Sequence, residues 1–161
     1  GYTRDGCVWK EDIDIFDKMA VQIRYANKVQ VSYSLTTYSP YEGFRIAFNG
    51  TKGRMDFWMH ERQPWPMENF DEIHVTDNFG KAEFIKLPRI EENHYGGDPL
   101  MKDKRFRNPA APDTFQQPGN VRDGAMSVLI GVAARKSIDS GKSIRIADLT
   151  DIVPQARKPG E

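Results

Sequence analysis

Met19-Ala20-Val21-Gln22-Ile23-Arg24-Tyr25 alternates apolar and polar side chains, and Val29-Gln30-Val31-Ser32-Tyr33-Ser34-Leu35 repeats the alternation after a break of three residues. A period of two is the mark of a half-buried strand, because successive side chains point to opposite faces. The break, Ala26-Asn27-Lys28, has room only for a tight turn, and Asn27 is its residue most tolerant of positive φ. Strands joined so closely are antiparallel neighbours. Further along, Phe44, Ile46 and Phe48 mark a third strand, and Gly50-Thr51-Lys52-Gly53 turns into a fourth over Met55 to Met59. Two shorter strands follow at Glu72 to Thr76 and Lys81 to Leu87, linked through Asp77-Asn78-Phe79-Gly80. The first half therefore reads as an antiparallel meander.

From Pro88 the alternation stops. A long connection carries Pro99, Pro109, Pro112 and Pro118, with a short helix expected over Asp98 to Phe106, Asp98 as its N-cap and Pro99 in its first turn. Asn108 to Gly119 reads as mobile. One long helix is expected from Val121 to Ser140. Asn120 caps it, Asp123 completes a capping box, and Gly141 stops it. Val121, Ala125, Val128, Leu129 and Val132 lie at helical spacing as its apolar stripe. Ile144-Arg145-Ile146 suggests one more short strand.

The chain has 161 residues, with 23 Lys plus Arg against 23 Asp plus Glu, and one cysteine. That length suits a single domain, and the zero net charge argues against a nucleic-acid partner, which needs a local excess of cations. Gly124 to Ala134 is the longest near-apolar stretch and is about half a bilayer span, so no membrane segment is expected. Cys7 alone permits no intramolecular disulfide, and the compartment, cytoplasmic or periplasmic, stays open. The opening Gly1-Tyr2-Thr3-Arg4-Asp5, without an initiator Met, reads as a piece of a longer protein. The second strand's polar face, with Ser32, Ser34 and Thr36, is poor in charge. It suits an ordinary wet sheet face or one that meets a second subunit.

His94-Tyr95-Gly96-Gly97-Asp98 is the unusual cluster. Two glycines let the backbone bend close to a ligand, His94 can move a proton near neutral pH, and Asp98 can orient that histidine or bind a hydroxyl. The bland reading is a tight turn with Asp98 as a helix cap. A second candidate is Tyr38-Ser39-Pro40-Tyr41-Glu42-Gly43-Phe44-Arg45, whose aromatic, carboxylate and guanidinium groups suit sugar hydroxyls, with Tyr41 and Arg45 as binding residues. A packed corner in which Glu42 pairs with Arg45 would use the same residues. His60 and His74 stand singly, without metal-ligand spacing, and no metal is expected. No Gly-rich dinucleotide turn, phosphate-binding loop or nucleophile elbow occurs.

In order and spacing, four segments resemble the C-terminal domain of the glucose–fructose oxidoreductase / inositol dehydrogenase family (Gfo/Idh/MocA), in the branch common among bacteria that process complex carbohydrates. These are Asp17 to Tyr25 with Tyr33-Ser34-Leu35; Tyr41-Glu42-Gly43 with Phe48 to Gly53; His94 to Pro99; and Val121 to Gly141 with Ile146 to Leu149. Lys28 departs from the pattern, where Gly usually follows this Asn. The resemblance implies an α+β fold, an open-faced, mostly antiparallel sheet with helices packed on one face and a homodimer or larger assembly through the other. It implies an N-terminal Rossmann domain, absent from this chain, that binds NAD or NADP, and hydride transfer to or from a sugar or polyol. The family's Glu-Lys-Pro and its Asp and His partners do not occur here. What carries over is His94 as acid or base, with Tyr95, Gly96, Gly97 and Asp98 on the substrate side and no cofactor-binding residue in the chain. An NAD-dependent glycosidase of the same superfamily, or a non-catalytic carbohydrate-binding or scaffold module, are the alternatives.

Overall fold

The protein is described by a computed structural model over residues 6–7, 9–90, 93–112 and 119–156. Its strands are β1 (Lys18–Arg24), β2 (Gln30–Thr36), β3 (Glu42–Gly50), β4 (Gly53–Arg62), β5 (Phe70–Asp77) and β6 (Ala82–Pro88). Two α-helices follow, α1 (Gly97–Lys102) and α2 (Val121–Ser140). All strand pairing is antiparallel. The architecture is the open α+β one that the alternation implies, with one correction to the continuous meander. β1 and β2 pair only with each other, and β3-β4-β5-β6 form a separate four-stranded sheet. Pro40 lies in the β2–β3 connection, where it offers no N–H to a ladder.

Contacts divide the chain into two compact units, Gly1–Tyr38 with Gly119–Glu161, and Ser39–Pro118. In the first, Met19 faces Leu35, Val21 faces Tyr33 and Ile23 faces Val31, giving an apolar face. The opposite face holds Ser32, Ser34 and Thr36, with Ser32 Oγ donating to Gln22 Oε1 at 2.9 Å. It also carries Lys18 opposite Thr36 and Arg24 opposite Gln30, so the ends of that face are charged.

Helix α2 begins and ends where its local signals place it. The Asp123 N–H donates to Asn120 Oδ1 at 3.0 Å, and the Asn120 N–H donates back to Asp123 Oδ2 at 2.9 Å. Gly141 closes it with φ 65° and an N–H to the Ser137 carbonyl. The apolar stripe is a correction. Val121 is 91% exposed and Val128 is also exposed, while Ala125, Met126, Leu129 and Ile130 are partly covered and Ala133 is buried. The expected strand at Ile144 to Ile146 does not form. Arg145 keeps an extended backbone, but Ile146–Asp148 winds into a 3-10 turn and meets no ladder partner.

In the second unit the Gly50–Gly53 turn sets the register. Phe44, Ile46 and Phe48 face Met59, Phe57 and Met55; Val75 and Ile73 continue the row, as does Ile85. This face is apolar, and Phe44, Ile46, Phe48 and Ile85 are exposed. The other face carries Gly43, Arg45, Trp58, His60, His74 and Phe84. The segment expected as one helix over 98–106 is α1, continued as a wider π-type turn over Asp103–Arg107. Part of the stretch expected to be mobile, 113–118, lies outside the described residues.

Candidate functional site

The turn before α1 is where the candidate chemistry collects. His94 (φ 51°, ψ 43°), Tyr95 (φ 55°, ψ 40°) and Gly96 (φ 79°, ψ 3°) are three successive left-handed residues. For an L-residue this conformation costs about 1–2 kcal/mol, so His94 and Tyr95 hold a strained backbone. Strain of this kind collects at functional sites. Gly96 is required twice over: by its φ, and because a Cβ would lie 3.1 Å from Ile90 Cδ1 in a buried position.

Asp98 is not the cap that the sequence suggests. Gly96 occupies the N-cap position, no side chain caps α1, and Asp98 sits in the first turn. Its carboxylate instead meets the imidazole, with His94 Nδ1 2.9 Å from Asp98 Oδ1. The His94 side chain is 83% exposed and that of Asp98 32%. A hydrogen bond from Nδ1–H to the carboxylate fixes the tautomer, leaving the Nε2 lone pair outward as an acceptor. An oriented, accessible base results.

Tyr95 is held above the ordinary tyrosine range, first by partial desolvation and then by the Glu61 carboxylate. Asp71 and Glu42 add to the effect and Arg89 opposes it. Its hydroxyl therefore stays a donor. Arg89 Nη2 donates to Asp71 Oδ1 at 2.6 Å in a half-buried pair, and Arg89 Nε is buried without a partner among the described residues. These neighbours bring the turn to the end of the sheet that holds the β3 start and the β4 end.

Tyr41 and Arg45, the other residues singled out in the sequence, are at that sheet but touch different partners. The expected Glu42–Arg45 pair is absent; Glu42 lies 3.8 Å from Arg62, and the Arg45 guanidinium sits 3.7 Å over the Trp58 ring. The strand register explains this, because Arg45 is directly opposite Trp58, and a cross-strand aromatic is a better platform than a neighbour three residues along. Tyr41 packs edge-on against Trp65 at 5.4 Å. No hydrogen bond or ring contact among the described residues joins Tyr41 or Arg45 to the His94–Asp98 pair. Trp58 and Trp65 carry no functional signal in the sequence pattern, and His60 stands there only as a single histidine without metal-ligand spacing. Trp58 and His60, two apart in a strand, share a face, so counting back from the Gly50–Gly53 turn could have placed them opposite Arg45 and Gly43. His74 faces Glu72 at 2.6 Å and the Phe84 ring at 4.8 Å.

Comparison with known proteins agrees with this layout. The chain is 30% identical over 151 residues to a Bacillus subtilis (strain 168) protein named "Putative oxidoreductase YteT", an alignment covering 92% of this chain and 35% of that protein. The chain thus spans about a third of that relative's length. No solved structure matches it. The profile of the oxidoreductase family, C-terminal alpha/beta domain (GFO_IDH_MocA_C), matches residues 6–146. With the antiparallel α+β architecture and the His-Tyr-Gly-Gly-Asp turn in place, this chain belongs to the Gfo/Idh/MocA oxidoreductase family as its C-terminal domain.

Proposed function

We propose that this chain forms the substrate-side part of an NAD- or NADP-dependent oxidoreductase acting on a sugar or polyol. The observation that carries the reading is the 2.9 Å contact between His94 Nδ1 and Asp98 Oδ1 on a strained, exposed turn. Oxidation of a secondary alcohol removes a hydride from carbon and a proton from oxygen. His94 Nε2 takes the proton, Asp98 steadies the imidazolium that forms, and the Tyr95 hydroxyl donates to a neighbouring substrate oxygen.

The described residues do not fit a dinucleotide. A pyrophosphate binds free N–H groups at a helix N-terminus. In α2 the box of Asn120 and Asp123 takes up two of the amides at that end and sets the Asp123 carboxylate, which repels a phosphate, in the first turn, and α1 is one short helix with Asp98 in its first turn. In this proposal the nicotinamide, which would supply the hydride acceptor, is held by a Rossmann domain outside this chain. Self-association through an open sheet face completes the proposed assembly.

The test is His94→Ala in the full-length protein. Turnover should fall by on the order of 100-fold or more with the melting temperature unchanged. Intact turnover with a lowered melting temperature would make the histidine a structural turn residue.

A further inference from the structure

The polar face of the four-stranded sheet carries a run of aromatic rings at its β3 start. Trp58 and His60 have centroids 4.0 Å apart, His60 meets Trp65 at 6.2 Å, and Trp65 meets Tyr41 at 5.4 Å. The inner end of the run is covered, since the Arg45 guanidinium lies on Trp58. The outer end is open: Trp65 is 42% exposed and Tyr41 36%. Trp65 makes angles of 83° with His60 and 67° with Tyr41, so neither neighbour stacks flat on it. Opposite His60 stands Gly43, at a bulge in the β3–β4 pairing, and a side chain there would run into the Met59 carbonyl. Nothing can grow across the strand to cover that imidazole.

An exposed aromatic surface is a cost unless something apolar lies on it. Its rim here is charged, with Glu42 and Arg62 3.8 Å apart, both exposed, and Arg45 alongside. Charged hydrogen-bonding groups beside exposed rings suit a small ligand that is apolar on one face and polar at its edge. A pyranose has the matching chemistry, since its C–H faces stack on rings while its hydroxyls bond carboxylate and guanidinium groups at the edge. We propose that Trp65, Tyr41 and His60 form a stacking platform for a saccharide ring, with Glu42, Arg62 and Arg45 binding its hydroxyls.

The platform deepens the proposed function and rests on it in one respect, the identity of the reacting site. Tyr95 lies within electrostatic reach of Glu42 and Glu61, the neighbours of Tyr41 and His60 in the chain. A ring on the platform is thus at the same end of the sheet as His94.

Saturation-transfer NMR on the full-length protein tests this, with methyl β-glucoside, methyl β-galactoside, methyl α-mannoside and cellobiose as probes and a proline-rich peptide as the competing class. At least one glycoside should receive saturation, concentrated on the C–H protons of one ring face. Trp65→Ala should weaken its binding on the order of tenfold, about 1.4 kcal/mol. Tyr41→Ala should weaken it too, and Trp65→Phe should retain part of it. His94→Ala should leave this binding unchanged while lowering turnover, so the two readings fail separately. The platform is overturned by no transfer to any glycoside, by equal transfer in Trp65→Ala with its fold intact, or by binding of the peptide alone.

Discussion

Two turns in this chain share one hydrogen-bond design and differ in the residue type at its left-handed position. In Tyr25–Val29 and in Asp77–Lys81 the first N–H donates to the last carbonyl, at 2.9 and 3.0 Å, and the fourth N–H donates to the first carbonyl, at 2.9 and 3.2 Å. The fourth residue is left-handed in both, Gly80 at φ 84° and Lys28 at φ 71°. Lysine carries a Cβ cost there that glycine does not, so Lys28→Gly should stabilise by about 1 kcal/mol. That amounts to roughly 2–4 °C in a thermal melt of a chain this size. The alternation on either side places the turn, but φ at a single residue depends on which amide needs which carbonyl. Asn27, read as the left-handed residue, instead accepts the Val29 N–H at 3.1 Å. Asp98 shows the same limit, because a cap and a histidine partner look identical in sequence. With the cap reading gone, Asp98→Asn keeps an oxygen for Nδ1–H and loses only the charge. Its expected effect on turnover in the full-length protein is about tenfold, smaller than that of His94→Ala.

At the scale of elements, the signals that are local were legible and the pairings that are not were missed. Both ends of α2 are written within four residues of where they act: Asn120, Asp123 and Gly141. Removing either half of the capping box should cost about 1 kcal/mol in denaturant unfolding. The double replacement Asn120→Ala with Asp123→Ala should cost less than the two added together, because the two side chains act as one unit. Which side of α2 is covered depends on neighbours far along the chain, and so Val121 was misread as inward. The β3–β4 register follows from one two-residue turn, but the break between β2 and β3 needed knowledge that no edge accepts β3 there. Trp65 belongs to no strand, and no period could place it beside His60.

For the whole molecule, the balance between covered and uncovered surface is unusual. Ala133 is the sole buried hydrophobic residue among the described residues, and even it keeps 9% of its surface exposed, whereas Phe44, Ile46 and Phe48 line an exposed apolar strand face. Patches of that kind mark surfaces that meet something else. If the proposed assembly runs through this sheet, Ile46→Lys should lower the mass of the full-length protein in light scattering while leaving its circular dichroism unchanged. Ser34→Lys should do less, since Lys18 and Arg24 already charge its face. Unchanged mass in Ile46→Lys would remove this face from the assembly. The division into units also bears on ancestry. The stretch Ser39–Pro118 is continuous in sequence, whereas the other unit is assembled from both ends of the chain. It contains the His94 turn and every ring of the aromatic run. A recombination event with two crossover points would therefore transplant the site entire, and relatives could trade specificities as blocks rather than residue by residue.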